Sequence, residues 1–469
     1  MILPVILWTD ALIYLLLAVV AAFILYARRK PHLRAPWQQI FRRRLAAASV
    51  VILLAYVLIG VLDSIHYRLP LENQGGRTEV HYSVEVLSLL DTLVGPLRTR
   101  NETTYSAPFA THLFIRETVR LSDGMQVRSY PRLAYGGRHL EDPATGFWPD
   151  IRERVGTAML DTLLASALML LTLCAWRARS AKRTLREAWR DILSWRTPLP
   201  WAVIWLTASL LLLMFFLALN LAMAYHVFGT DKVGQDVFYQ TLKSIRTGLV
   251  IGTLTTLVML PFAILMGILA GYARGWIDDV IQYLYTTLNS IPHVLLIAAA
   301  ILMLQVYIAN HPDQFETTVE RSDIRLLFLC IILGITSWTG LCRLLRGESL
   351  KLREAEYIQA AVSFGVSHTR IITKHILPNV MHIVLITVVL DFSGLVLAEA
   401  VLSYVGVGVD PTMNSWGNMI NSARLEMARE PVVWWSLLSA FVFMFALVLS
   451  ANLFSDAVRD AFDPRLQQR

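Results

Sequence analysis

The sequence predicts an all-α polytopic membrane protein, and three observations carry that reading. Of 469 residues, 55% are hydrophobic and only 16% are charged, where soluble domains carry about 25% charge. The mean hydropathy is +0.52. Runs of about 20 mostly apolar residues recur, each long enough to cross a hydrocarbon core about 30 Å thick. They are continuous, unlike the short alternating segments of a barrel, and in lipid a continuous run satisfies its backbone only as a helix.

Nine spans follow, over residues 5–26, 45–62, 155–176, 201–225, 247–272, 291–308, 326–342, 383–404 and 432–454. The sixth has an alternative start near Asp279, and Pro261 and Pro292 are placed to kink their helices. Seven Lys and Arg follow the first span, seven follow the third and six follow the seventh. By the positive-inside rule these loops share the cytoplasmic side, with the N-terminus outside and the C-terminus cytoplasmic. The net charge of +7 is then orientation signal rather than a nucleic-acid footprint. No basic residue precedes the first run and Asp10 sits within it, which favours an uncleaved anchor over a secretory signal. Cys174, Cys330 and Cys342 fall in or beside spans; their spacing offers neither a disulfide framework nor a metal site, so they read as packing residues. No metal and no cofactor is expected.

Residues 1–64 form a two-span hairpin, 65–154 an extracytoplasmic segment, 155–200 an extra span with a cytoplasmic helix, and 201–469 hold the last six spans. In the second region, residues 79–97 have helix-like apolar spacing. Turn signals follow at Ser122-Asp123-Gly124, Tyr135-Gly136-Gly137 and Asp142-Pro143, as in a small mixed domain. In the third, Leu185, Trp189, Ile192, Leu193 and Trp195 share roughly one helical face opposite basic residues. That suits a helix lying in the membrane interface, and equally a plain connecting helix.

Residues 345–380 interrupt the spans with a compact polar insert. A helix opening near Glu354 and carrying Glu356 ends at Gly365, because glycine accepts the left-handed conformation. Ser367 is placed to cap a second helix, with Val366 and Ile371 as its staple. Pro378 is placed to end it. Two short helices around a Gly turn resemble a DNA-reading helix-turn-helix, but both ends lead into membrane and leave a duplex little room. An ordinary helical loop is a second reading. A rigid knob for a cytoplasmic partner is the third, since Ala360, Ala361 and Gly365 let a partner approach closely.

Charged residues inside spans mark further candidates. Asp391 and Glu399 lie eight residues apart in the eighth span, within roughly 80° of each other on a helix. Both could face a pathway that binds a peptide amine or another cation; alternatively each is satisfied by a neighbouring helix or sits near the external end of the span. Asp161 reads as a packing or interface residue.

At the insert the sequence resembles the EAA loop of permease subunits in ABC importers. That pattern is Glu-Ala-Ala, three residues, Gly, nine residues, Ile, one residue, Leu-Pro. Here it stands as Gln359-Ala360-Ala361, Gly365, His375 and Leu377-Pro378, with Gln359 replacing the Glu and His375 the Ile. His at that place is similar to the dipeptide, oligopeptide and nickel branch. Residues 228–240 resemble that branch's external motif through Gly229, Thr230, Asp231, Gly234 and Asp236, with Gln235 replacing an Arg. Residues 397–420 and 458–466 resemble two further branch motifs. The resemblance covers roughly residues 224–466.

It implies a type I ABC-importer permease core of six spans, with about three extra N-terminal spans and a small extracytoplasmic domain. It also implies a bacterial inner-membrane protein, a second related permease, two ATPase subunits docked at the EAA loop, and an extracytoplasmic solute-binding protein. Peptides are the leading substrate class, with metal chelates, opines and sugars as others. The chain lacks a Gly-x-x-x-x-Gly-Lys-Ser/Thr phosphate loop, so hydrolysis belongs to the partners. Rival classes are a membrane-anchored helix-turn-helix sensor and a secondary transporter, the latter requiring internal repeats.

Overall fold

The computed structural model describes all residues except 1–2, 72–80, 121–125, 183, 194–198, 312–316 and 463–469. The helices, in chain order, are α1 (Trp8–Arg28), α2 (Pro31–Arg42), α3 (Arg44–Ser64), α4 (Leu89–Leu93), α5 (Gly95–Thr99), α6 (Pro143–Ala181), α7 (Leu185–Leu193), α8 (Trp201–Ala222) and α9 (Val237–Ala273). There follow α10 (Trp276–Ser290), α11 (His293–Asn310), α12 (Thr318–Ser337), α13 (Thr339–Arg353), α14 (Glu356–Ser363), α15 (His368–Ile371), α16 (Leu377–Tyr404), α17 (Trp416–Glu426) and α18 (Trp435–Phe462). Among the described residues nine helical stretches are long and apolar enough to span a membrane, matching the nine apolar runs.

Helix ends depart from the apolar runs where polar chemistry sets them. α9 starts ten residues before its run because Asp236 accepts from the amides of Phe238 and Tyr239 at 2.8 and 3.2 Å. α6 starts early because Asp142 caps Ala144 at 3.0 Å, with Pro143 in the first turn. Pro292 divides its helix rather than kinking it. It lacks an N–H and holds Ile291 extended, at φ −90° and ψ 128°, so α10 and α11 are separate. Pro261 lies inside an unbroken α9.

The chain divides into two compact units. The first comprises Met1–Val5, Gln38–Arg246 and Asn414–Leu453. In it α3, α6 and α8 pack together and α7 folds back on α6 and α8. Ser166 and Ser209 hydroxyls bond at 2.7 Å, and Trp205 Nε1 donates to the Ser166 carbonyl at 3.1 Å. Such polar contacts hold helices together where apolar burial discriminates poorly. Strands β1 (Leu3–Val5), β2 (His66–Arg68) and β3 (Leu87–Ser88) form an antiparallel sheet, with Pro4 opposite Tyr67 and His66 opposite Ser88. β4 (Glu117–Arg120) and β5 (Gln126–Ser129) form a hairpin. The described part of residues 79–97 is not one helix. Ser88 and Asp91 make a capping box that starts α4 only at Leu89, and Pro96 sits in the first turn of a separate α5. In this unit Lys243 of α9 lies 2.6 Å from Asp63 of α3 and 3.1 Å from Asp91 of α4. Both carboxylates are buried.

The second unit comprises Ile6–Trp37, Thr247–Met413 and Phe454–Arg469. α1 packs on α12, where the Thr9 amide donates to Asp323 at 3.1 Å. α9 and α13 meet closely at Gly267 and Gly271. A β-carbon on Gly271 would fall 2.6 Å from the Arg346 carbonyl oxygen, and one on Gly267 2.8 Å from that of Cys342. This is the small-residue seam by which membrane helices approach. The adjoining core contains Met259, Ala263, Leu341, Leu345 and Val384.

Candidate functional site

The insert folds as two short helices on this core. α14 ends in a reciprocal cap: Val366 N donates to the Ala361 carbonyl at 3.1 Å and Gly365 N to that of Val362 at 3.0 Å. Gly365 takes φ +72°, the left-handed position such a cap requires. Ser367 stands at the start of α15 but its side chain makes no capping bond. Val366 and Ile371 share one apolar cluster, as a staple demands.

Pro378 does not end the second helix, contrary to the sequence expectation. A π-helical turn, Ile372–Ile376, widens the backbone, and α16 continues into the membrane with Pro378 in its first turn. A wide turn before proline leaves room for its ring and needs no donor from it. The insert is therefore continuous with the eighth span.

Burial divides the insert into an inner and an outer face. Ile358, Ile371 and Ile376 are fully buried in the core, and Ala361 and Leu377 pack against it. Glu356, Gln359, Ala360, Gly365 and Pro378 are exposed, and His375 is half-buried beside the Tyr357 ring. Gln359 Nε2 donates to the Glu354 carbonyl at 3.2 Å, so the amide replaces a charge with a local bond. At the tip stands Phe364, 86% exposed. Beside the helices opens a cleft of about 660 Å³ lined by Tyr272, Arg353, Gln359, Val362 and His368 among others. His368 Nδ1 and the Tyr272 hydroxyl are 2.7 Å apart, and Arg353 donates to the Tyr272 carbonyl at 2.8 Å. Arg346 holds Asp278 of α10 with two bonds of 2.6 and 2.7 Å. That pairing keeps the Asp278 carboxyl below the usual range. The insert is buried at its base and exposed at its tip.

The second motif, Gly229 to Asp236, is a clamp in the other unit. Thr230 donates to the Thr104 carbonyl at 2.8 Å and accepts from Ser106 N at 2.7 Å, while Trp435 Nε1 donates to the Thr230 carbonyl at 3.0 Å. Asp231 accepts from Val233 N and Gln235 N at 3.0 and 2.9 Å. Gly229 and Gly234 have φ +67° and +78°. Asp236 Oδ2 lies 2.7 Å from His226 Nδ1, whose Nε2 is 3.3 Å from Glu102. Glu102 in turn accepts from the amides of Ala134, Tyr135 and Gly136 at 2.8, 2.9 and 3.1 Å. The motif thus fastens Glu102–Ser106 and, through Glu102, Ala134–Gly136. Sequence spacing could not find Glu102 or His226, because they lie 124 residues apart.

The clamp predicts a pH dependence. Burial pulls the His226 imidazole down, but Asp236 and Glu102 outweigh it and raise its pKa from 6.5 to about 9. Burial raises Glu102, but the His226 bond and three amides outweigh it and hold it below 4.5. The histidine contribution is complete below pH 6.5 and lost as pH rises through about 9. That of Glu102 is present above pH 4.5 and lost as pH falls through its lowered value. Amide exchange at Glu102, Ser106, Ala134, Tyr135 and Gly136 should therefore be slowest near pH 5–6, after correction for intrinsic rates. His226→Gln should flatten the alkaline limb; an unchanged limb would remove His226 as its cause.

On α16, Glu399 is buried and accepts from the Ser403 hydroxyl at 2.7 Å. Asp391 is half-buried, and among the described residues it makes no hydrogen bond or ion pair. Among the described residues no cluster of His, Cys, Asp or Glu could hold a metal. Residues 463–466 of the C-terminal motif lie outside the described residues.

The family model for the binding-protein-dependent transport system inner membrane component matches residues 263–468. The oligopeptide transport system permease protein OppC of Haemophilus influenzae is 31% identical over 241 residues, 51% of this chain and 71% of that protein. The dipeptide transport system permease protein DppC of Bacillus subtilis is 28% identical over 245 residues, 52% of this chain and 70% of that protein. OppC of Mycobacterium tuberculosis H37Rv is 32% identical over 239 residues, 51% and 76%. With nine spans, a helix pair continuous with the eighth and these relatives, the chain belongs to the family of binding-protein-dependent inner-membrane transport components and is a permease subunit of the ABC-transporter type.

Proposed function

We propose that this chain is half of the translocation pathway of an ATP-driven peptide importer, coupled to cytoplasmic ATPase subunits through α14, Gly365 and α15. The observation that carries the coupling is the two-faced insert: three fully buried isoleucines within it, an exposed tip outside, and no break between it and α16. The relatives' names, oligopeptide and dipeptide transport permeases, support peptides as the substrate class.

A second related permease completes the pathway, and an extracytoplasmic solute-binding protein delivers substrate. The three basic loops support an outside N-terminus and a cytoplasmic C-terminus. Residues 201–469 are the permease core, and 1–64, 65–154 and 155–200 are additions to it. Closure of two ATPase subunits moves the insert. Its buried base passes the displacement into α16, and substrate loading outside favours closure inside by reciprocal coupling. Asp391 is the pathway carboxylate for a peptide amine, since its carboxyl has no competing partner among the described residues.

The test is a native-level pull-down of the tagged chain in mild detergent beside Gly365→Trp. A β-carbon at Gly365 meets nothing within 4 Å, so the indole projects outward, while the positive φ adds modest strain. An ATPase pair and a second permease should co-purify with the native chain, and the variant should lose the ATPases and keep the permease. Absence of ATPases from the native sample, or their full retention in the variant, would refute the coupling. Loss of labelled di- and oligopeptide uptake on deletion tests the substrate class; unaltered uptake would argue against it.

A further inference from the structure

We infer that the corner between α6 and α7 is a binding surface for anionic phospholipid headgroups. Depth comes first. Ile192 of α7 is fully buried against Leu170 and Cys174 of α6 and Trp201 and Trp205 of α8. Those residues belong to the last apolar turns of one span and the first of the next. The Trp176 and Trp201 rings meet edge to face, 5.7 Å apart, as aromatic residues do at a membrane boundary. α7 is therefore held level with that boundary instead of projecting away from it.

Charge comes second. Arg177, Arg179, Lys182, Arg186 and Arg190 surround this corner, and all but the half-buried Arg177 are exposed. Among the described residues none of the five pairs with a carboxylate. The nearby acids do not compensate them. Glu187 is turned back on the Thr184 amide at 3.2 Å as half of a capping box, and Asp191 is half-buried. Trp176, Leu185 and Trp189 stand exposed in the same region. Unpaired cations beside exposed aromatic and aliphatic groups, at headgroup depth, match a phosphate ester above an acyl chain. Soluble phosphate would satisfy the cations and leave the apolar groups in water, so the occupant is lipid.

The test places the full chain in nanodiscs of equal phosphatidylcholine and phosphatidylglycerol, with bromine on the acyl chains of only one lipid at a time. The chain has 13 tryptophans, so the Trp189 signal is the difference between the native chain and Trp189→Phe. Quenching of Trp189 should be at least about twofold greater when the anionic lipid carries bromine, and 0.5 M salt should reduce the excess. In Arg179→Gln/Arg186→Gln/Arg190→Gln the two labels should quench equally, whereas the corresponding lysine triple should keep the preference. Equal quenching by both labels in the native chain would mean interfacial anchoring without headgroup selection. No quenching by either would place α7 outside the membrane. Each result overturns the inference.

Discussion

Phe364→Asp is expected to strip the permease of its ATPase subunits while leaving its own fold intact. The ring is 86% exposed, so the fold gains little from it and loses little without it. Its backbone N–H, which bonds the Ala360 carbonyl at 2.9 Å, is unchanged by the substitution. In the complex proposed above, the same ring is the most exposed large hydrophobic group of the insert, at the end of α14. An aromatic anchor buried in the proposed interface is worth about 2–4 kcal/mol, and an aspartate in its place would bring an unpaired charge into that interface. Affinity for the purified ATPase pair, titrated onto the chain in nanodiscs, should fall by roughly 30-fold or more. The thermal midpoint of the chain alone should hold. Phe364→Leu should keep most of the affinity. Equal affinity of the aspartate variant and the native chain would show that the partner does not read the tip.

Gly234→Ala should have the largest effect on folding. Gly234 lies at φ +78°, and an added β-carbon would sit 1.8 Å from the carbonyl oxygen of Glu102 and 2.4 Å from its carbon. These are backbone atoms and cannot rotate away. Relief requires moving Glu102, which breaks its 2.9 Å amide bond to the Gly234 carbonyl and draws its buried carboxylate from His226. Positive φ alone costs about 1–2 kcal/mol, and disrupting a buried charge pair costs about 3–5. A loss of about 3 kcal/mol or more is expected even after partial relaxation. Gly95→Ala is the control, since a β-carbon there meets nothing within 4 Å. A thermal midpoint for Gly234→Ala no lower than that of the control would show that the clamp yields freely.

The nine spans were readable because a membrane core sets a length and a composition, and both are one-dimensional. The starts of α6 and α9 were not. The first ten residues of α9 include Lys243 and are fixed by Asp236, which raises no hydropathy signal. Residues 79–97 carried the spacing of a helix, but local caps outvoted periodicity. The Gly365 turn was legible because one residue type solves one backbone problem. Pro378 misled because the expected helix stop was met by widening the preceding turn. The Glu102–His226–Asp236 chain was invisible, since it joins residues 124 apart through geometry alone. Phe364 gives no sequence signal for a related reason: an aromatic in an apolar-rich chain looks ordinary, and only its exposure singles it out.

The salt bridges of Lys243 impose a schedule on synthesis. Asp63 emerges from the ribosome 180 residues before Lys243, and Asp91 152 residues before it. At about 5–20 residues per second, both carboxylates wait on the order of ten seconds or longer before their shared cation is made. Throughout that interval the N-terminal hairpin and the segment after it each hold an acid that the finished structure buries. The newborn N-terminal region is therefore an unfinished electrostatic circuit, closed only when α9 arrives.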